Sequence, residues 1–252
     1  MSPFTYSLLC PSRGRPDGVR QLVDSVAATA SLRGRIEVLV YIDSDDPEVE
    51  GYRRTFAELA SSGHGLGRVQ AIIGPPRSVS ISWNDLAAAS RADVLMMAND
   101  DQVYVEAGWD CRLDACVAAY PDRIFCMWFN DGICGEEHCA FPIVSRRWCN
   151  KLGYFTPGIF EFIANDTWIM DLGRRVGRLH YIGDVLVEHR HFSVGKSMFD
   201  ETYRRHREGE QEQRRARDMF VFERTAAIRE RDARWLSALL GSIETGEGGV
   251  VA

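Results

Sequence analysis

Short runs of apolar residues alternate with amphipathic stretches over the first hundred positions. The apolar runs are Phe4 to Cys10, Ile36 to Ile42, Val69 to Ile73 and the segment beginning at Val94. They are four to eight residues long, show no in–out alternation and stop at turn formers, which is the pattern of strands buried on both faces. Between them, Asp17 to about Leu32 places Val19, Leu22, Val23 and Val26 on one helical face, with Asp17 as a candidate cap. Pro47 to about Ser61 predicts a second helix, since proline suits a first turn, and Ser78 to Ser90 a third. Strands alternating with helices through short links imply an α/β fold with a mostly parallel, Rossmann-like sheet flanked by helices.

The second half is less regular. Glu106 to Tyr120 predicts a helix with Trp109, Leu113 and Val117 inward; Arg123 to Phe129 and Cys139 to Val144 read as strands, and Arg146 to Leu152 as a short helix closed by Gly153. An aromatic-rich loop, Phe155 to Ile163, leads into a helix from Asn165 to about Val176, with Asn165 or Asp166 available as its cap. Leu179 to Val187 is the last strand, Ser197 to Gly241 reads as helical, and the Gly-rich end from Glu244 to Ala252 as disordered. The expected organisation is one domain over residues 1–195, a helical extension over 196–241 and a tail over 242–252.

Three strand ends carry polar clusters: Pro11-Ser-Arg-Gly-Arg-Pro16, Asp43 to Asp46, and Asn99-Asp-Asp101. Consecutive parallel strands end on one edge, so these clusters should meet where open α/β sheets bind ligands. If the Val94 strand continues, Asn99 and Asp101 share a face and Asp100 turns to the flank. Guanidinium for phosphate, carboxylate for ribose or base, and an acidic pair for a divalent cation together suit a nucleotide diphosphate. An ordinary turn with two solvated aspartates fits the same residues. His189 and His191, two apart after the last strand, are further candidate ligands. The chain has neither G-x-G-x-x-G nor G-x-x-x-x-G-K-[ST], which argues against dinucleotide and P-loop chemistry.

Charge and cysteine usage narrow the class. A net charge of −6 argues against a protein that coats nucleic acid. Seven cysteines, none in a C-x-x-C pair, read as buried free thiols, although Cys134, His138 and Cys139 could contribute to a zinc site. No apolar run reaches the ~18 residues of a membrane helix and no leader pattern opens the chain, so a cytoplasmic protein is expected. The run Arg204, Arg205, Arg207, Arg214, Arg215 and Arg217, interleaved with Glu208, Glu210 and Glu212, reads either as an ion-paired helix face or as a surface for a polyanion.

These motifs, in this order, resemble the nucleotide-sugar glycosyltransferases of the A-type fold, of the family-2 kind. The resemblance covers about residues 4 to 195. It rests on the Cys10-Pro-Ser-Arg13 loop, Asp43, Asn84 in the helix before the acidic motif, Asn99-Asp-Asp101 in the place of D-x-D, Asn165-Asp166 and the late histidines. It implies a UDP- or GDP-sugar donor bound by Pro11, Arg13, Arg15, Asp43, Asn84, Asn99, Asp100 and Lys196. It further implies Mn²⁺ or Mg²⁺ held by Asp101 with His189 or His191, and Asp166 as the base of an inverting transfer to an acceptor hydroxyl. Asn99 stands where the family has an acid, which leaves the metal to Asp101, and Asn165 replaces the usual acid before Asp166. The segment from His189 through Gly195-Lys-Ser to Tyr203 resembles phage-encoded transferases, some of which glycosylate hydroxymethylated pyrimidines in DNA. A glycan or small-molecule acceptor, a nucleotidyltransferase and a non-catalytic nucleotide-sugar or DNA-binding module are the alternatives.

Overall fold

The computed structural model describes residues 3–207 and 210–242; the expected disordered end, from Glu244 onward, lies outside the described residues. Eight strands form one sheet in the order β3-β2-β1-β4-β7-β6-β8-β5. They are β1 (Tyr6–Ser12), β2 (Ile36–Asp43), β3 (Arg68–Gly74), β4 (Val94–Met97), β5 (Gln102–Tyr104), β6 (Cys126–Asn130), β7 (Ile143–Ser145) and β8 (Leu179–His189). Strands β1 to β4 run parallel to one another, and β8 runs parallel to β6. Two strands run the other way: β7 is antiparallel to β4 and β6, and β5 is antiparallel to β8.

The intervening helices are α1 (Pro16–Thr29), α2 (Val49–Ser61), α3 (Val79–Ala89), α4 (Trp109–Ala118), α5 (Arg146–Leu152) and α6 (Asn165–Arg175). Three more follow, α7 (Glu201–Arg207), α8 (Glu210–Arg224) and α9 (Ala226–Ser237). Among the described residues no helix is long and apolar enough to cross a membrane.

Alternate strand residues feed two separate cores, which is why the runs look continuously apolar. Leu8, Cys10, Val38, Val40, Val94 and Met96 face α1, α2 and α4, where Trp109, Leu113 and Val117 are fully buried. Leu9, Leu39, Tyr41, Leu95 and Met97 face α3, α5, α6 and α9, packing with Trp83, Trp148, Trp168 and Leu236. Helices on both faces remove the two sides of β1, β2 and β4 from water, so nearly every position along them favours an apolar residue, whereas β3, at the sheet edge, is only partly buried.

Helix starts differ from the sequence expectation in four places: Pro47 lies in the turn before α2, which begins at Val49, α4 begins at Trp109 rather than at Glu106, and the starts of α1 and α6 also differ. Arg15, not Asp17, occupies the cap position of α1, with Pro16 opening the helix and Asp17 in its first turn. Ala164 precedes α6 in the left-handed region at φ +69°, leaving Asn165 and Asp166 inside the helix. A non-glycine residue there costs of order 1 kcal/mol or more, and the local packing must over-determine it. Ser80 Oγ donates to Asn165 Oδ1 at 2.6 Å, and Trp168 N donates to Ala164 O at 2.9 Å.

Candidate active site

The carboxyl ends of β1, β2 and β4 open into a cleft of about 660 Å³. Its floor is built by the loop after β1. Ser12 Oγ donates to Asp100 Oδ2 at 2.6 Å and also meets the Tyr52 hydroxyl at 2.6 Å. Gly14 (φ +69°) turns the chain so that its N–H donates to Asp46 Oδ2 at 2.8 Å. Gly18, in the first turn of α1, lies so close to the acidic turn that a Cβ there would sit 2.5 Å from the Asp100 carbonyl oxygen. The helix start and the acidic turn therefore touch backbone to backbone.

Both guanidinium groups of this loop are engaged by carboxylates. Arg13 meets Asp43 at 2.9 Å and also Asp45. Arg15 grips Asp200 with two hydrogen bonds, at 2.7 and 2.8 Å, reaches Asp100 at 3.1 Å and lies 4.2 Å over the Tyr203 ring. Burial raises the Asp100 carboxyl to about 6; Arg15 opposes that shift and the charge of Asp101 adds to it. The expectation that Asp100 turns to the flank fails because β4 ends at Met97 and Asp100 and Asp101 lie in a turn closed by Gln102 N to Asn99 O, so two-residue alternation no longer applies. Asn99, Asp100 and Asp101 all line the cleft.

Asp101 lies at a charge-compensated corner. Its Oδ2 accepts from the Tyr203 hydroxyl at 2.9 Å and lies 3.4 Å from His189 Nε2; its Oδ1 is buried without a hydrogen-bond partner. Burial would push this carboxyl up, but the His189 hydrogen bond and charge hold it below the usual carboxylate range. His189 is disfavoured as a cation by burial, yet Asp101 and Asp131 raise it to about 9. Arg190 N donates to Asp101 O at 2.7 Å, and His189 N to Asp131 O at 3.0 Å, so the end of β8 is clipped to both acidic turns. Asp131 in turn accepts from the N–H groups of Ile133, Cys134 and Gly135.

These atoms fit a divalent cation. The unpartnered buried carboxylate oxygen supplies one protein ligand and His189 a second once an incoming cation displaces its ring proton, and hard cations in diphosphate sites take the rest from water and substrate. Among the described residues no group of three or more His, Cys, Asp or Glu side chains is arranged to hold a metal. Two protein ligands are what the corner offers. His191 also lines the cleft but caps the turn Phe192–Val194, its Nδ1 2.7 Å from Ser193 Oγ, with its ring against Tyr203.

The opposite wall comes from residues 161–166. Buried Asp218 of α8 accepts from the N–H groups of Glu161, Phe162 and Ile163 and thereby holds this loop. Asp166 lines the cleft; its Oδ1 accepts from Thr167 N at 2.7 Å and its Oδ2 lies 2.8 Å from His138 Nε2. That bond and the Asp166 charge raise His138 above the ordinary imidazole value, against the opposing effect of burial.

Several expected residues have other positions. Asn84 does not line the cleft: its Oδ1 accepts from Phe155 N and Thr156 N, and its Nδ2 donates to Thr156 O at 2.8 Å. Asn84→Ala is expected to lower stability by about 1–3 kcal/mol, since it strips backbone groups of partners. An unchanged melting temperature would show that the 155–156 turn is held elsewhere. Lys196 lies outside the cleft lining and pairs with Glu188 at 2.9 Å. The zinc grouping does not assemble, because His138 is bound to Asp166 and Cys139 is buried with its Sγ 3.9 Å from that of Cys126.

Pro11 lines the cleft with Arg13, Arg15 and Asp43. Sequence reasoning missed Tyr203, Asp200, His138, Asp131 and Asp218. Of these, the segment Asp200 to Tyr203 left a signal as part of the tail motif, and His138 left one that pointed to zinc instead. Arg214 and Arg215 of the arginine run line the cleft, and Arg214 and Arg217 both pair with Glu161. The side chains of Arg205, Arg207, Glu208, Glu210 and Glu212 lie outside the described residues.

No protein-family model matches the sequence, and no curated protein matches it. Solved structures do. A mannosyltransferase from Pyrobaculum calidifontis, in complex with GDP-Man and Mn²⁺, superimposes with a TM-score of 0.64 at 14% identity over 95% of this chain and 70% of that one. The chain shares the fold of these transferases. TarS from S. aureus matches with a TM-score of 0.56 at 10% identity over 73% of this chain and 36% of that one. Its fragment 1–349 in complex with UDP-GlcNAc gives 0.54 at 11% identity, over 73% and 57%. The chain thus spans about a third to three-fifths of the TarS chains it matches.

Proposed function

We propose that this chain is a glycosyltransferase that moves a sugar from a UDP- or GDP-sugar to an acceptor hydroxyl. One observation carries the reading: a single cleft at the strand ends presents an Asp–His cation corner, Asp101 with His189, and a separately held carboxylate, Asp166. The similar folds recorded with GDP-Man and Mn²⁺ and with UDP-GlcNAc support the donor class.

In this reading Asp101 and His189 hold Mn²⁺ or Mg²⁺. Such a cation would offset the negative charge that builds on the leaving diphosphate. Pro11, Arg13, Asp43, Asn99 and Asp100 form the donor side. Arg15 holds Asp100 and Asp200 in place and brings further positive charge to the same corner. Asp166 accepts the proton of the attacking hydroxyl, and attack on the face away from the diphosphate inverts the configuration.

The acceptor reading that goes furthest is a hydroxymethylated pyrimidine in DNA. Arg215 at the cleft, beside Arg214 with its charge shared with Glu161, brings positive charge toward an anionic acceptor, which supports it. A thermal-shift screen against UDP and GDP sugars, with Mn²⁺ or with EDTA, tests the donor. A ligand at ~100 times its Kd adds about 2.7 kcal/mol of stability. A shift that EDTA abolishes is expected with one nucleotide class; the absence of any shift in folded protein would reject the reading. Transfer is then assayed on hydroxymethylcytosine-containing DNA against neutral glycans.

A further inference from the structure

We infer that His138 is a positioning residue for the reaction, fixing the plane in which the Asp166 carboxylate faces the cleft. The inference rests on the reading of Asp166 as the base. The terminal torsion of an aspartate is broad, so a carboxylate at a cleft wall keeps one orientation only if both oxygens are held. Here they are: Thr167 N donates to Oδ1 at 2.7 Å and His138 Nε2 lies 2.8 Å from Oδ2.

His138 is itself placed by a built loop between β6 and β7. At one end Asp131 accepts three successive N–H groups, from Ile133 to Gly135. At the other, Cys139 is fully buried and its N–H points to Met170 Sδ of α6 at 3.4 Å. With the chain anchored at Gly135 before it and at Cys139 directly after it, the ring has little freedom to leave Asp166. His138 does not line the cleft and acts through Asp166.

The proton accounting is simple. The acceptor O–H bond breaks and its proton goes to Asp166. The freed oxygen pair forms the bond to the anomeric carbon, while the bond to the diphosphate oxygen breaks and its electron pair leaves with the diphosphate. His138 keeps its own Nε2 proton throughout. The charged groups facing it are Asp166 and Arg174 from α6 and Asp131 from the loop after β6. A doubly protonated ring stabilises the carboxylate and makes it a poorer base; a neutral ring protonated on Nε2 keeps the hydrogen bond without that charge. The rate should therefore rise with pH as His138 loses its charge, with a midpoint above the ordinary ~6.5 because Asp166 favours the charged form.

The test compares His138→Ala, His138→Gln and Asp166→Asn by release of nucleotide from GDP-mannose and UDP-N-acetylglucosamine with Mn²⁺, water serving as acceptor. His138→Ala should lower kcat by ~10- to 100-fold with little change in KM, the scale of a small misplacement of a reacting group. His138→Gln, whose amide nitrogen can reach the same oxygen, should recover most of that rate and lose the acid limb of the kcat profile. Independently of turnover, NMR titration of the His138 ring should fall toward ~6.5 in Asp166→Asn. A folded His138→Ala enzyme with the parent kcat and pH profile, or an unmoved His138 titration in Asp166→Asn, would overturn the inference. Full activity in Asp166→Asn would instead reject the base itself.

Discussion

Asp166→Asn is expected to cut kcat by ~10²- to 10⁴-fold, the ordinary contribution of a general base, with donor affinity nearly unchanged. Asparagine keeps the shape, and its carbonyl oxygen can still accept from Thr167 N or from the His138 ring, but it has no lone pair basic enough to take the hydroxyl proton. The fold should tolerate the change, because Ala164, Asn165 and the loop 161–163 have their own partners. Steady-state kinetics with a melting curve of the same preparation checks both points. A variant with parent kcat would move the base elsewhere in the cleft; one with a greatly weakened KM would make Asp166 a donor ligand instead.

Asp101→Asn should remove the metal-dependent part of donor binding and lower turnover by at least ~10²-fold, the scale of losing one preorganised charge at a developing anion. The amide can still accept from the Tyr203 hydroxyl, so a purely structural role would survive the substitution. The charge would not. His189, raised to about 9 by Asp101 and Asp131 together, would keep only Asp131 as an acidic neighbour and release its proton at lower pH. Isothermal titration with Mn²⁺ and GDP separates the outcomes. Loss of Mn²⁺-dependent GDP binding is expected, whereas undiminished Mn²⁺ dependence would place the cation on other groups.

Tyr203 and Asp200 show why part of this site was not visible in the chain. They lie about a hundred and about 185 positions from the groups they touch, Asp101 and Arg15. No local pattern joins them, and only the return of the chain after β8 brings them to the cleft. His138 is a related case. In sequence it stands beside cysteines and suggests zinc, while in the fold α6 supplies Asp166 and the cysteine turns inward.

β5 was missed for a different reason. Three residues that follow the acidic turn directly are too short to show a period, and their strand character comes from pairing with β8. Asn84 sits in α3 as expected, but the direction of its side chain is decided by the 155–156 backbone packed beside it.

The alternation of strand and helix, the burial of the central strands on both faces and the gathering of three polar clusters at one edge are all legible in the chain. Each of those follows from side-chain periodicity and from chain connectivity, which are local properties. Which charges are already paired, whether Asp101 Oδ1 has a partner and which histidine stands behind Asp166 emerge only when the chain is folded. Those depend on side chains from distant segments meeting in a low-dielectric cleft, where a few ångströms separate an ion pair from an unpartnered charge.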